Sequence, residues 1–314
     1  MYKANLLLKN SHINTMFPHF FRDVKVQYER ERLETVDGDF FDIDKIQHNN
    51  DKVVILCHGL EGSSYSQYIR ALSKLLNSNN IDTIAINHRS CSGEINRKST
   101  FYHAGFINDL DLLVKHIEHQ YDEIYLVGYS LGANMVLKYA GVDNGLNNKL
   151  KGVIAVSCPL DLQDSSITFN ETKNLLYRKR FLKSLKDKLI KKIEIMPNEI
   201  NMTIDEVKNI KTMLDFDNLV TSRMYGYKDA NDYYRKESAI NYIDSIKIKT
   251  LIVNAKDDPI LSSRCYPNDL HHINKNIFTL YPKHGGHVGF ANFTTEYYWI
   301  DYKILKFINK EDGE

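Results

Sequence analysis

A serine flanked by glycines two positions away on each side lies in the segment G-Y-S-L-G at 128–132. The apolar run at 124–127 predicts a strand before this segment, and the residues at 133–138 continue it as a helix-forming run. A serine on such a tight strand-to-helix turn projects its hydroxyl from the backbone, beside a helix N-terminus that stabilises negative charge. The segment therefore predicts a nucleophilic serine, Ser130, on a nucleophile elbow.

Nucleophilic attack by a serine also requires a histidine base and a carboxylate that orients this base, because the hydroxyl alone is a weak nucleophile near neutral pH. Two late segments contain candidates, in the chain order acid then histidine that accompanies a serine on this kind of turn. Asp257 and Asp258 follow one predicted buried strand, and His284 and His287 follow the next. The pattern alone is compatible with either acid.

The histidine is better defined than the acid. We prefer His287 over His284, because Gly285 and Gly286 directly before it give the loop room to present the ring. The H-x-x-H spacing could alternatively bind a metal ion, but that spacing suits a helix, whereas the glycines indicate a loop. We therefore predict no metal and no organic cofactor.

Attack on an ester carbonyl forms an oxyanion, which needs backbone N–H donors already in place. The segment C-H-G-L-E-G-S-S at 57–64 follows an early predicted strand at 53–56, where a first donor is expected. We predict that the amide of Leu60 is this donor and that the amide of Leu131, directly after Ser130, is the second.

Strands alternate with helical patterns over most of the 314 residues, which predicts an α/β fold with a mostly parallel central sheet and helices on both faces. The predicted strands lie at 53–56, 82–87, 124–127, 152–157, 250–255 and 277–281, after a hairpin at 34–44 with an Asp-Gly turn. We predict a single domain, 1–314, that begins with an N-terminal segment at 1–35. From about 160 to 240 a helical pattern replaces the strands, and we expect this insertion to form a cap, or lid, over the active site.

Several segments together resemble the YheT-like branch of the α/β-hydrolases over most of the chain. They are H-G-L-E-G-S-S at 58–64, N-H-R-S-C-S-G-E at 87–94 with Asn96 and Arg97, Y-H-A-G at 102–105, N-A-K-D-D-P at 254–259, G-G-H-V-G-F at 285–290 and S-H-I-N-T-M-F-P at 11–18. The chain departs from the family pattern at Ser90, where glycine is usual, and at Asn14, where glutamine is usual. Both departures concern loop geometry and leave the predicted triad in place.

The resemblance implies the α/β-hydrolase fold and activity as a carboxylesterase or acyl hydrolase on lipid-like esters. It also favours Asp258 over Asp257, because the residue directly before Pro259 matches the usual acid position of the family. We therefore predict a serine hydrolase in which Ser130, His287 and Asp258 cleave lipid-like or short-to-medium acyl esters through an acyl-enzyme.

Two other functions would use the same features. An acyltransferase would pass the acyl group of the same acyl-enzyme to an alcohol or thiol instead of water. A non-catalytic protein could bind a ligand on a hydrolase scaffold, although the presence of a serine, an acid and a histidine argues against this.

The composition argues against several classes of protein. A net charge of +1 gives no electrostatic basis for binding nucleic acid. The apolar run at 6–8 is shorter than a secretory signal or a membrane span requires. The four cysteines, Cys57, Cys91, Cys158 and Cys265, are scattered and indicate free thiols in a reducing compartment, so we predict a cytoplasmic protein.

The cap region contains a strongly basic helical pattern at 174–192, in which Leu175, Leu182, Leu185 and Leu189 recur at helical spacing. A basic amphipathic helix can lie on an anionic membrane surface. We prefer the alternative, in which the leucines pack on the protein and the basic face is solvated.

Overall fold

A mostly parallel sheet forms the centre of the protein, in a computed structural model that describes residues 1–142, 148–293 and 296–310. Its strands are β1 (Glu29–Glu34), β2 (Phe40–Ile46), β3 (Lys52–Cys57), β4 (Asp82–Asn87), β5 (Glu123–Tyr129), β6 (Leu150–Val156), β7 (Lys249–Val253) and β8 (Ile277–Leu280). They form one sheet in the order β1-β2-β4-β3-β5-β6-β7-β8. β1 and β2 form an antiparallel hairpin, β2 pairs antiparallel with β4, and the remaining pairs are parallel. The predicted hairpin and the predicted sheet are confirmed.

Helices cover the sheet and fill the segment between β6 and β7. They are α1 (Ser11–Phe21), α2 (Gln67–Asn77), α3 (Asn108–Ile117), α4 (Leu131–Gly141), α5 (Leu162–Asn170), α6 (Leu175–Ile195), α7 (Ile204–Lys208), α8 (Met213–Phe216), α9 (Ser222–Tyr225), α10 (Ala230–Glu237), α11 (Leu270–Ile273) and α12 (Trp299–Ile308). Short 3₁₀ segments lie at Leu7–Lys9, Thr172–Asn174, Ala239–Ser245 and Ser263–Cys265, and a π-helical turn at Asp217–Thr221 joins α8 to α9. Within the described ranges, none of these helices is long and apolar enough to cross a membrane.

The central strands are apolar along their length because helices pack on both faces of the sheet. Alternate residues of a strand point to opposite faces. Along β3, Val53 and Ile55 therefore belong to the core beneath α3 and α4, whereas Val54 and Leu56 belong to the core beneath α2 and α12. All four side chains are fully buried, which fixes β3 and the loop that follows it.

The helices α5 to α10 lie between β6 and β7, where the sequence places the predicted cap. Their apolar side chains, among them Leu182, Leu189 and Val207, form a cluster separate from the two cores of the sheet. Leu60, in the loop directly after β3, packs against this cluster. The insertion therefore lies over the carboxyl end of β3, at the edge of the sheet where ligands bind in α/β folds.

Two lysines of α6 point toward the protein instead of the solvent. The Nζ of Lys192 donates to the backbone carbonyls of Lys98 and Thr100, and its side chain is fully buried. The ammonium of Lys188 lies 3.0 Å from the carboxylate of Glu61. Three of the four predicted leucines are buried as expected, but the prediction of a solvated basic face is wrong for these two lysines. Their long stems reach polar groups beneath the helix.

Candidate active site

Ser130 lies on the turn between β5 and α4, at φ +54° and ψ −119°, a conformation that strains a residue with a side chain. At Gly128 and Gly132, which flank Ser130 in this turn, the neighbouring backbone leaves no room for a side chain. A Cβ on Gly132 would lie 2.4 Å from the carbonyl oxygen of Cys57, and a Cβ on Gly128 would lie 2.2 Å from that of Gly132. The two glycines thus permit the tight turn that holds the Ser130 hydroxyl clear of the backbone.

The side chains of Ser130, His287 and Asp258 form a continuous chain of hydrogen bonds. The Ser130 Oγ lies 2.8 Å from the Nε2 of His287, and the Nδ1 of His287 lies 2.8 Å from the Oδ2 of Asp258. The other carboxylate oxygen of Asp258 accepts hydrogen bonds from the amides of Ile260 and Leu261. Because the Asp258 side chain is fully buried and that of His287 is 11% exposed, the carboxylate holds the imidazole in one orientation toward the serine.

Asp257 and His284, the alternatives weighed from the sequence, lie outside this chain of bonds and pair with each other. The Nδ1 of His284 lies 3.2 Å from the Oδ2 of Asp257, whose Oδ1 accepts the Gly286 amide at 2.9 Å. Burial raises the pKa of Asp257. This carboxylate therefore supports the turn that precedes His287 and does not contact the imidazole.

Residues far away in the chain hold the loop that carries His287. The amide of His287 donates to the Oγ1 of Thr15 at 2.9 Å, and the amide of Val288 donates to the Oγ of Ser157 at 2.9 Å. The Oδ1 of Asn14 accepts the amide of Ala291 at 3.0 Å. Sequence reasoning missed these contacts: the resemblance at 11–18 marked α1, but no local signal relates α1 to the histidine loop.

The two departures from the family pattern are accommodated locally. Asn14 is fully buried and donates to the carbonyl of Leu8 at 2.7 Å, besides accepting from the histidine loop. Ser90 adopts a left-handed φ of +65°, a conformation that favours the usual glycine. Its hydroxyl accepts the amide of Asn96 at 3.1 Å and bonds the side-chain oxygen of that residue at 2.5 Å, which helps to hold this conformation.

The loop after β3 leaves one amide free beside Ser130. A Cβ on Gly59 would lie 3.0 Å from the Cβ of Ser130, so the two segments are in contact. The amides around Leu60 already donate to other groups. The Gly59 amide donates to the Tyr68 hydroxyl at 3.1 Å, and the Glu61 amide donates to the Tyr102 hydroxyl at 2.7 Å. The Gly62 amide donates to the Gly59 carbonyl at 3.0 Å, and the Ser63 amide donates to the Ser66 hydroxyl at 3.1 Å. Among the described residues, the amides of Leu60 and Leu131 donate to no other group.

The direction of the Leu60 amide is fixed by His58. The Nδ1 of His58 lies 2.7 Å from the carbonyl oxygen of Gly59, and its Nε2 accepts the His88 amide at 3.2 Å, so the proton is on Nδ1. Burial, together with the neighbouring His88, holds the pKa of His58 well below its usual range. The Gly59 carbonyl and the Leu60 amide belong to one trans peptide and point in opposite directions, so a bond to the first orients the second.

Ser130 opens into a cavity of about 470 Å³ beneath α6, a size within the usual range for small-molecule sites. Its walls include the apolar side chains of Leu60, Phe181 and Ile260, and the polar side chains of His19 and Arg180. The cavity can therefore hold an acyl chain and a polar group together.

Nothing in the described parts of the chain groups three or more His, Cys, Asp or Glu side chains closely enough to hold a metal ion. The histidines of the H-x-x-H segment bond to separate carboxylates, His284 to Asp257 and His287 to Asp258. The residues around Ser130 thus bring together a hydroxyl, an imidazole, a carboxylate and two amides, the groups that a serine nucleophile requires.

Comparison with known proteins identifies relatives over most of the chain. Residues 52–293 match the family described as alpha/beta hydrolase fold. The YheT protein of Escherichia coli (strain K12) is 31% identical over 304 residues, which cover 94% of this chain and 89% of that protein. A monoacylglycerol lipase of Saccharomyces cerevisiae is 27% identical over 266 residues, which cover 82% of this chain and 58% of the lipase.

Solved structures share the fold at low sequence identity. The esterase Pf2001 of Pyrococcus furiosus matches with a TM-score of 0.60 and 16% identity, over 92% of this chain and 98% of the esterase. The similarity in sequence and the similarity in structure thus indicate the same architecture.

Proposed function

The chain belongs to the YheT-like branch of the α/β-hydrolase family, and on this premise we propose that it hydrolyses carboxylic esters with Ser130 as the nucleophile. The observation that carries the proposal is the chain of two 2.8 Å hydrogen bonds from Ser130 through His287 to Asp258, at the wall of the cavity beneath α6. The esterase and lipase names among similar proteins support ester substrates.

In the proposed mechanism, the Ser130 hydroxyl attacks the ester carbonyl while the Nε2 of His287 accepts its proton. Asp258 orients the imidazole and stabilises the imidazolium that forms. The amides of Leu60 and Leu131 hold the oxyanion of the tetrahedral intermediate, and His287 then gives its proton to the departing alcohol. Water, deprotonated by the same imidazole, attacks the acyl-enzyme and releases the acid together with the free Ser130.

The apolar part of the cavity supports an ester with an acyl chain, in agreement with the lipid-like substrates that the sequence predicts. Leu60, Phe181 and Ile260 provide a surface that an alkyl chain can bury, at about 25 cal/mol for each Å² of apolar area removed from water. The helices α5 to α10 would then act as the cap that limits the length of this chain.

A fluorophosphonate probe tests the nucleophile directly, because it reacts covalently with an activated serine. We expect the wild-type protein to be labelled and Ser130→Ala to lose both labelling and turnover of a panel of 4-nitrophenyl esters. Loss of a triad serine costs on the order of 10⁶ in kcat.

Ser78→Ala, at the far end of α2, is the matched control, and we expect it to label like the wild type. A wild-type protein that neither labels nor cleaves any ester would contradict the proposal. Labelling that persists in Ser130→Ala would assign the nucleophile to another residue.

A further inference from the structure

Glu61 lies directly after the free Leu60 amide and joins the oxyanion loop to α6. We propose that Glu61 is a positioning residue for the Leu60 amide and that α6 holds it in place through Lys188 and Ser184. The inference rests on the proposed serine hydrolase function, since it concerns the oxyanion donor of that reaction.

The carboxylate of Glu61 is buried under α6 and bonded by two residues of that helix. The Lys188 ammonium lies 3.0 Å from it, and the Ser184 hydroxyl donates to its Oε2. The side chain of Glu61 is 6% exposed, so solvent screens this ion pair weakly. Burial disfavours the charged form of Lys188, but the neighbouring Cys91 thiol and the Glu61 carboxylate more than offset this effect and raise its pKa.

Tyr102 connects the same carboxylate to the backbone of the loop. Its hydroxyl donates to the Oε1 of Glu61 at 3.1 Å and accepts the amide of Glu61 at 2.7 Å. Because the Tyr102 hydroxyl donates its proton to the Glu61 carboxylate, a lone pair of the Tyr102 oxygen remains to accept the Glu61 amide. The carboxylate therefore fixes the peptide between Leu60 and Glu61 by way of Tyr102.

The Leu60 amide thus has a support on each side. On one side, His58 and the Gly62 amide bond the Gly59 carbonyl, which belongs to the same peptide as the Leu60 amide. On the other side, the Glu61 carboxylate and Tyr102 hold the following peptide. Glu61 itself adopts a left-handed φ of +54°, a conformation that a residue with a side chain keeps only when its surroundings impose it.

This arrangement makes α6 part of the catalytic geometry as well as part of the cavity wall. Ser184 and Glu61 both line the cavity that holds Ser130. Movement of α6 away from the sheet would release the Glu61 carboxylate and with it one support of the Leu60 amide. The oxyanion exists in the transition state and not in the bound ester, so the loss should appear in kcat and not in KM.

The experiment compares Glu61→Ala and Lys188→Met with Lys183→Met, whose lysine pairs with Asp187 on the exposed surface of the same helix. For an ester that the wild type cleaves, we expect Glu61→Ala to lower kcat about ten- to hundred-fold with KM nearly unchanged, as a misplaced donor would. Lys188→Met should lower kcat in the same way but less, and Lys183→Met should match the wild type.

The double variant of Glu61→Ala with Lys188→Met should lose no more activity than Glu61→Ala alone, because both changes act on one support. Glu61→Gln, whose amide oxygen can still accept from Tyr102, should recover part of the lost kcat, and it replaces Glu61→Ala if that variant fails to fold.

The inference is overturned if the wild type cleaves the ester through Ser130 while Glu61→Ala and Lys188→Met keep its kcat, or if they change KM alone. Failure of the proposed function is a separate result, visible as a wild type that neither labels with fluorophosphonate nor turns over ester.

Discussion

Two adjacent carboxylates after β7 have different partners at the scale of single residues. Asp258 bonds His287 and the two amides that follow Pro259, whereas Asp257 bonds His284 and the Gly286 amide. Only Asp258 contacts the ring that contacts Ser130. The proposed mechanism therefore requires a negative charge at Asp258 and not at Asp257.

Asp258→Asn should lower kcat by about 10⁴-fold, because an amide cannot hold the imidazole in the required tautomer and charge state. Asp257→Asn should have a far smaller effect, since its Oδ1 can still accept the Gly286 amide. Steady-state kinetics of both variants on one ester measure the difference. Equal losses in the two variants would refute the assignment of Asp258 as the acid.

The candidate site residues that could be predicted from the sequence are those whose chemistry depends on local spacing. The elbow serine, the glycines around it and the acid and histidine after β7 and β8 all lie in short segments with recognisable patterns. The family resemblance covers the segments of Glu61, Thr15 and Tyr102, but their contacts could not be predicted in this way, because these contacts join positions that are distant in sequence. Thr15 and His287 are 272 residues apart.

At the scale of elements, α6 contains a lysine whose burial affects stability. The side chain of Lys192 is fully buried, and its nearby charges are the carboxylates of Asp39 and Glu199 and the guanidinium of Arg89. Burial lowers its pKa to about 7. The neutral amine keeps two N–H groups, enough for the carbonyls of Lys98 and Thr100.

The unfolding free energy of the wild type, relative to Lys192→Met, should rise between pH 7 and pH 10. In this range the unfolded chain, with an ordinary lysine pKa, binds a proton that the folded protein does not, so stability increases with pH. The limit of the increase is about 4 kcal/mol, from 1.36 kcal/mol for each pH unit. Urea unfolding of both proteins at several pH values measures it, and parallel curves would show that Lys192 is charged when folded.

The amphipathic pattern of α6 was predictable, but the placement of its charges was not. Leucines at helical spacing identify the buried face by residue type alone. A lysine next to that face can extend to solvent or fold back to a carbonyl beneath the helix. The second outcome depends on where the loop at 98–100 lies, which the pattern of the helix does not contain.

At the scale of the whole molecule, a buried arginine joins the antiparallel hairpin to the parallel part of the sheet. Arg89, just after β4, makes two bonds to Asp109 at the start of α3 and ion pairs with Asp37 and Asp39 between β1 and β2. Asp39 and Asp109 are themselves buried. Since buried parallel strands are continuous apolar runs, the strands and the mostly parallel sheet were predictable from the sequence, whereas this polar connection was not.

Arg89→Met should lower the unfolding free energy by about 3–5 kcal/mol, because it leaves two buried carboxylates without a cation. Arg97→Met, which removes an exposed ion pair with Glu34 of the same hairpin, should change stability far less. Thermal or urea unfolding of the two variants provides the comparison. A loss in Arg89→Met as small as that in Arg97→Met would show that water reaches the carboxylates.

The support of the histidine loop by α1 has a consequence for the timing of synthesis. The Thr15 hydroxyl that receives the His287 amide is made 272 residues earlier, so this hydrogen bond forms only after 272 further residues have been translated. Ser130 precedes His287 by 157 residues, so at ~5–20 residues per second the nascent chain spends roughly 8–31 s with Ser130 and α1 made and the histidine absent. Under the proposed mechanism, activity would therefore begin only after residue 287 has been translated, and polypeptides interrupted between the elbow and residue 287 would carry a complete elbow with no base to activate it.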